Sequence, residues 1–260
     1  MYNLLYLFVT VIYINMLHKF DINETAKILG VNPYTLRRWD NDNIFKANRG
    51  SDDKGHRYYF EDDIEDFLSN NYKYLLKIAN EWSFSKNFIN MPSRFYCEDA
   101  FVFKSRLSKF AEVLKREGVL GESFSLVTSV VGEIGNNSFD HNIGNWPDIP
   151  GIFFAYSLKE RKIILADRGR GVLTTLQKVR PELSNDKDAL QVAFTEIVTG
   201  RHPEDRGNGL KYVKKIVQDN NMHLWFHSGK NIIELESEPL DLMNKDSENY
   251  MRGCFVILKY

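Results

Sequence analysis

Cysteine is scarce: Cys97 and Cys254 are the only two in 260 residues. They lie far apart and without metal-ligand spacing, which counts against a disulfide scaffold and a zinc site and fits a reducing compartment, so a cytosolic protein is expected. Internal repeats and low-complexity tracts are also lacking, which removes solenoid and disordered-tail architectures. Neither sign of charge dominates, with 34 basic against 35 acidic residues and a net charge of -1. Any face that binds nucleic acid must therefore be local. Nor is there an apolar run of membrane-spanning length. Leu4 to Ile14 (LLYLFVTVIYI) is strongly apolar, but a spanning helix needs about 20 such residues. A secretory signal would also want basic residues before the run and a small-residue cleavage site after it. No membrane association is expected. Residues 1–17 are read as a separate apolar segment, either preceding a true start at Met16 or adding a strand or helix, with a membrane anchor as the weaker alternative.

What is present is ordinary globular material, 43% hydrophobic and 27% charged, long enough for two domains. From Ile22 the chain reads INETAKILGVNPYTLRRWDNDNIFKANRGSDDKGHRYYFEDDIEDFL, the punctuation of two short helices and a turn. Glu24 to Leu29 is the first helix and Gly30 ends it in a left-handed conformation. Asn32 caps the second helix, Tyr34 to Trp39, and Pro33 suits its first turn. Ala26, Ile28, Leu29, Val31, Leu36 and Trp39 supply a small core, leaving Tyr34, Thr35, Arg37 and Arg38 on or near an outer face. Glu61 to Ile78 reads as one helix, with Ile64, Phe67, Leu68, Tyr72, Leu75 and Leu76 near a period of 3.6.

Gly30-Val31, Leu36-Arg37-Arg38-Trp39, and Arg57-Tyr58 through Asp62 together resemble the MerR-type winged helix-turn-helix. The resemblance covers about fifty residues. It implies that the second helix enters the major groove of double-stranded DNA and that the wing touches the backbone. Tyr34, Arg37 and Arg38 are then the groove residues, and Arg49, Lys54, His56 and Arg57 serve wing and phosphates. Arginine suits both tasks because its planar fork can hold a guanine edge or a phosphate through two bonds. Asp40, Asp42, Asp52 and Asp53 lie among these cations and are expected to repel phosphates. One copy should therefore bind weakly, and a homodimer is expected to recover affinity.

The domains are expected at 18–70 for the winged helix-turn-helix, 71–100 for a helical connector and 101–260 for a second domain. Three short motifs occur in order in that second domain. E-I-G-N-N-S-F-D places Glu133, Asn137 and Asp140 along one side of a helix spanning Phe124 to Asn142. A-D-R-G-R-G places Asp167, Gly169 and Gly171 directly after the apolar strand Lys162 to Ala166. R-G-N-G-L places Gly207, Gly209 and Leu210 at the start of a helix running to Gln218. Further strands are expected at Gly151 to Leu158, His223 to His227, Ile232 to Glu236 and Cys254 to Leu258, with helices between.

The order and spacing of these boxes look like the GHKL superfamily of gyrase B, histidine kinases and MutL, over roughly Phe101 to Tyr260. The resemblance implies an α/β class: a small, mostly α winged domain followed by an α/β sandwich of the Bergerat ATP-binding fold, with ATP and Mg²⁺ as cofactors. Glu133 would be the catalytic, water-activating residue and Asn137 the metal ligand. Asp167 would accept from the adenine amine, while Gly169 and Gly171 leave room for the nucleotide. Gly207, Gly209 and Leu210 would present helix N-terminal amides to the polyphosphate. Asp140, His141, Arg201, Arg206 and Lys211 are second-tier contacts.

No phosphoacceptor helix pair or receiver domain is visible, which argues against a sensor histidine kinase, and no transducer domain is seen after the sandwich, so hydrolysis should be slow. The expected function is an ATP-binding, DNA-binding regulator in which nucleotide occupancy, with the loop Thr195 to Arg206 as a lid, controls dimerisation or DNA binding. A phage-defence or mobile-element setting is compatible with it. The alternative is a serine/threonine protein kinase resembling the anti-sigma-factor kinases, acting on a STAS-like protein partner.

Overall fold

The structure, a computed structural model, describes residues 19–49, 55–85, 93–118, 121–196, 209–237 and 242–260. The apolar run Leu4 to Ile14, Asp52, Asp53, Lys54, Gly207, Arg201, Arg206 and nearly all of the expected lid lie outside the described residues. The chain divides into two units, residues 1–78 with 89–94, and residues 79–88 with 95–260.

The first unit opens with strand β1 (Lys19–Asp21), helix α1 (Ile22–Ile28) and helix α2 (Pro33–Asn41). Helix α1 starts where it does because Asp21 and Glu24 form a reciprocal cap. The Asp21 carboxylate accepts from the N–H groups of Asn23 and Glu24, and the Glu24 carboxylate accepts from the Asp21 N–H at 2.8 Å. Gly30, at φ +60°, lets the chain turn out of this helix. The Asn32 side chain then accepts from Thr35 N–H at 3.0 Å and Pro33 begins α2.

Strands β2 (Asn48–Arg49) and β3 (Arg57–Phe60) complete a three-stranded antiparallel sheet in the order β1-β3-β2. Leu29, Leu36, Tyr59, Ile64 and Leu68 are buried in this unit. Phe45 stacks on Tyr59 and on Phe67 at ring separations of 4.7 and 4.5 Å. The single helix expected over Glu61 to Ile78 is two, α3 (Glu61–Asn70) and α4 (Tyr72–Phe84). Asn71 leaves helical geometry at φ -125°, ψ 73°, and its side-chain amide donates to the Phe67 carbonyl at 2.7 Å. This local bond competes with the helical ladder, and the helical periodicity alone does not reveal it.

The second unit contains β4 (Tyr96–Cys97), α5 (Ala100–Glu117), α6 (Phe124–Asn142), β5 (Ile152–Ser157), β6 (Lys162–Asp167), α7 (Gly171–Leu176), α8 (Asp186–Thr195), α9 (Gly209–Asp219), β7 (His223–Leu235) and β8 (Met243–Lys259). The sheet is antiparallel throughout, in the order β4-β5-β6-β8-β7. Strand alternation gives it two faces. Ile152, Phe154, Ile163, Leu165, Leu224, Phe226, Val256 and Leu258 share one core with Phe103 and Phe110 of α5, Val127 and Val130 of α6, Phe194 of α8 and Val213 of α9. The opposite face carries Phe153, which packs on Trp82 and Phe95 at 6.2 and 5.8 Å, and Phe255, which packs on Phe84 at 6.1 Å. The class is mixed α/β.

Where two strands are expected, at His223 to His227 and Ile232 to Glu236, a single extended segment is found. That segment nevertheless reverses. Straight, its eleven-residue step from His223 to Glu234 would cover about 36 Å, yet His223 Nε2 lies 3.1 Å from Glu234 Oε1. Asn221 and Ser237 likewise bond at 3.0 Å. The reversal falls at Gly229, where φ is +62° and the register against β8 shifts. Among the described residues, no helix is long and apolar enough to cross a membrane.

Candidate functional sites

In the first unit, α2 presents the residues expected to face DNA. Its period buries Leu36, Trp39 and Asp40 and leaves Tyr34, Arg37 and Arg38 exposed, Tyr34 at 70%. The wing arginines have a different first task. Asp40 does not lie open to repel phosphate; it is 1% exposed. One carboxylate oxygen accepts from Ala47 N–H at 3.0 Å and the other from Arg49 Nη2 and Arg57 Nε, both at 2.6 Å. Burial works to raise its pKa, but the Ala47 N–H and the two guanidinium groups outweigh it and hold the carboxyl below its ordinary value. Arg49 and Arg57 thus fasten the wing to the end of α2, and Arg49 keeps about half of its side chain in solvent. His56 is exposed beside β3.

In the second unit, a cavity of about 890 Å³ is lined by Glu133, Asn137 and Asp140 of α6, Asp167 at the end of β6, Gly171 at the start of α7, and Gly209 and Leu210 of α9. Residues from all three sequence motifs therefore meet in one place. A Cβ on Gly209 would stand 2.0 Å from Glu133 Oε1 and 3.1 Å from Asn137 Nδ2, so the start of α9 lies directly against the polar face of α6. Gly171, at φ +78°, brings the chain to within 2.4 Å of Arg252 O for any Cβ placed there. Gly169 is not part of the lining; the space its Cβ would need holds the Asn142 carboxamide.

Asp167 is 2% exposed. Its Oδ2 accepts from Ser138 Oγ and its Oδ1 from Gly169 N–H, each at 2.8 Å. Burial pushes its pKa up to about 6, against the lowering pull of the bonds from Gly169, Ser138 and Cys254. Asn142 completes the turn: its Nδ2 donates to Ser138 O at 2.8 Å and its Oδ1 accepts from Arg170 N–H at 2.9 Å. Ser138, Asn142 and Cys254, together with Lys104 and Lys178 on the lining, are not among the residues that the sequence motifs single out. The signal available was the continuation of the polar stripe of α6, since Ser138 and Asn142 are four apart on one face.

Away from the cavity, His223, Glu234 and Glu236 bring ligand-type atoms within 4.8 Å of one another. Glu234 is already paired with Lys245 and His223, which makes this an ion-pair network at the doubled-back edge of the sheet.

Residues 20–76 match the profile of the MerR HTH family regulatory proteins. The first unit thus carries a MerR-type helix-turn-helix domain, the recognition element of DNA-binding regulators. No curated protein matches the chain.

Proposed function

We propose that this chain is a DNA-binding regulator whose second unit is a Bergerat-type domain holding Mg·ATP in the Asp167 cavity, with occupancy or slow hydrolysis controlling dimerisation or DNA binding. The observation that carries the nucleotide reading is the convergence of Glu133, Asn137, Asp167, Gly171 and Gly209 on one cavity. Its volume lies within the usual range for small-molecule sites, roughly 300 to 1,000 Å³.

The residues fit the group. Asp167 accepts from Ser138 and Gly169 and is also bonded by Cys254, while its side chain lines the cavity. An exocyclic amine at the cavity floor would compete for this carboxylate with the Cys254 thiol, which is a weak donor. Gly209 leaves the approach to Glu133 and Asn137 free of a side chain, and the N–H groups at the start of the eleven-residue α9, which lines the cavity, would be available to a phosphate there. When bound, Mg²⁺ would neutralise phosphate charge. Asn137 would offer it a carboxamide oxygen, an oxygen ligand of the kind this hard cation takes. Glu133 would orient a water and accept its proton at a carboxylate oxygen.

On the DNA side, Tyr34, Arg37 and Arg38 would read the major groove from α2, with Arg49, Lys54, His56 and Arg57 serving wing and backbone. Two copies would place two such helices on half-sites. A coupling of about 1 to 3 kcal/mol between nucleotide and DNA would change affinity several-fold to a hundred-fold.

Calorimetric titration of the whole protein with a non-hydrolysable ATP analogue and Mg²⁺ tests the reading. Saturable binding by the wild type that is lost in Asp167→Ala supports it; absence of heat in both proteins removes the nucleotide from the account and leaves a DNA-binding protein with a non-nucleotide partner domain.

A further inference from the structure

Asp167 and Arg168 are consecutive, and their side chains leave the chain on opposite faces of the sheet. Asp167 lies on the cavity side. Arg168 lies on the other, with Trp82, in the last turn of α4. Its guanidinium is 4% exposed and every arm of it is engaged. Nε and Nη2 donate to Asp148 Oδ2 at 3.0 and 2.7 Å, Nη1 donates to the Trp82 carbonyl, and the group lies 5.9 Å from the centre of the Trp82 ring. Arg252 donates to the same Asp148 oxygen.

Two features make this more than a buried ion pair. The neighbouring residues are held from the cavity side: Gly169 N–H by Asp167 and Arg170 N–H by the Asn142 side chain. The stretch 167–170 is thus gripped alternately by cavity residues and by the end of α4. The Trp82 carbonyl also belongs to the last turn of a helix, where carbonyl groups have no partner within the helix, and Arg168 is one of the donors that satisfies them.

We infer that Arg168 is a positioning residue that links occupancy of the Asp167 cavity to the C-terminal end of α4, the segment of chain leading from the MerR-type domain. The inference rests on the nucleotide reading of the cavity. A ligand that draws on the Asp167 carboxylate shifts the 167–170 turn, and a buried guanidinium cannot shift alone without leaving charge unpaired. Asp148 and the Trp82 carbonyl must follow it. Arg168→Lys keeps the charge but loses the fork, and Asp148→Asn keeps the shape but loses the charge.

Hydrogen exchange of the full chain, read by mass spectrometry with and without the Mg²⁺ complex of a non-hydrolysable ATP analogue, separates the two ideas. In the wild type, ligand is expected to slow exchange by five-fold or more both in peptides covering 133–142 and 162–172 and in a peptide covering 79–85. In Arg168→Lys and Asp148→Asn, protection of the cavity peptides should remain and the change at 79–85 should fall below two-fold. Cavity protection with no change at 79–85 in the wild type, or an undiminished change in both variants, overturns the role of Arg168 while leaving the nucleotide reading intact. No protection at the cavity overturns the nucleotide reading and the link with it. Because either variant could perturb folding, the ligand-free exchange pattern of each outside 79–85 and 145–172 must match the wild type, and the second variant decides if the first does not.

Discussion

A methyl group on Gly209 would stand 2.0 Å from Glu133 Oε1, so the third motif is fitted closely against the carboxylate of the first. Glu133 would have to rotate or α9 withdraw. Gly209→Ala is expected to weaken binding of the ATP analogue at least ten-fold in calorimetry, while far-ultraviolet circular dichroism stays that of the wild type. Full affinity in the alanine variant would show that the site does not depend on this approach.

Asp40 holds the wing to α2 through Arg49, Arg57 and the Ala47 N–H. Removing one partner of a buried ion pair costs about 3–5 kcal/mol, and less here because both arginines reach solvent. Asp40→Ala is expected to destabilise the MerR-type domain by about 2 kcal/mol, measured by urea unfolding monitored through hydrogen exchange of peptides covering 22–41. The folded pKa lies below the unfolded value, so the contribution is present at neutral pH and is lost as pH falls through the folded pKa. The difference between wild type and variant should therefore shrink in acid.

Arg37 and Arg38 are exposed on α2 and lie outside the Asp40 network. Their joint replacement by alanine should leave unfolding unchanged within about 0.5 kcal/mol. DNA affinity should fall and the salt dependence of binding should flatten by about one unit per lost phosphate contact, read by fluorescence anisotropy over a salt series. An unchanged affinity would move recognition off this helix.

Asp167 is held as a buried carboxylate with its pKa raised to about 6 from 3.8. One pKa unit is about 1.4 kcal/mol, so ionisation in place costs on the order of 3 kcal/mol. Because the folded value lies above the unfolded one, the folded protein binds the extra proton between pH 4 and 6. Its stability falls as pH rises through that interval. Asp167→Asn is expected to raise the thermal midpoint at pH 7.5 and not at pH 4, while abolishing nucleotide binding. Wild-type nucleotide affinity should decline as pH is lowered below about 6, when the acceptor becomes protonated. A midpoint that drops at pH 7.5 would assign Asp167 to the fold and not to a ligand.

The sequence was most legible where local rules act alone. The caps at Asn32 and Pro33 and the period of α2 placed Leu36 and Trp39 inside and Arg37 and Arg38 outside, and α6 runs over Phe124–Asn142 as its pattern indicated. The Asp167 strand and the Gly209 helix also fall where their flanking apolar runs put them. What sequence did not disclose depends on partners distant in the chain. Asp40 sits among charged residues in sequence, and only the fold brings Arg49 and Arg57 onto it. Asn71 breaks a helix through a bond to the backbone four residues back, and Gly169 accommodates Asn142, an internal partner no motif specifies.

The placement of β8 between β6 and β7 has a consequence for how this unit is made. The last strand in sequence becomes an interior strand of the sheet, and Cys254 supplies the pairing of Asp167. Until Cys254–Lys259 arrives, β6 offers an open edge flanked by Ile163 and Leu165, a surface that invites pairing with other chains. Assembly must wait for contacts between residues nearly a hundred positions apart, a pattern that slows folding. The cavity floor is therefore completed late, and the period before β8 docks is when a chaperone would have most to protect.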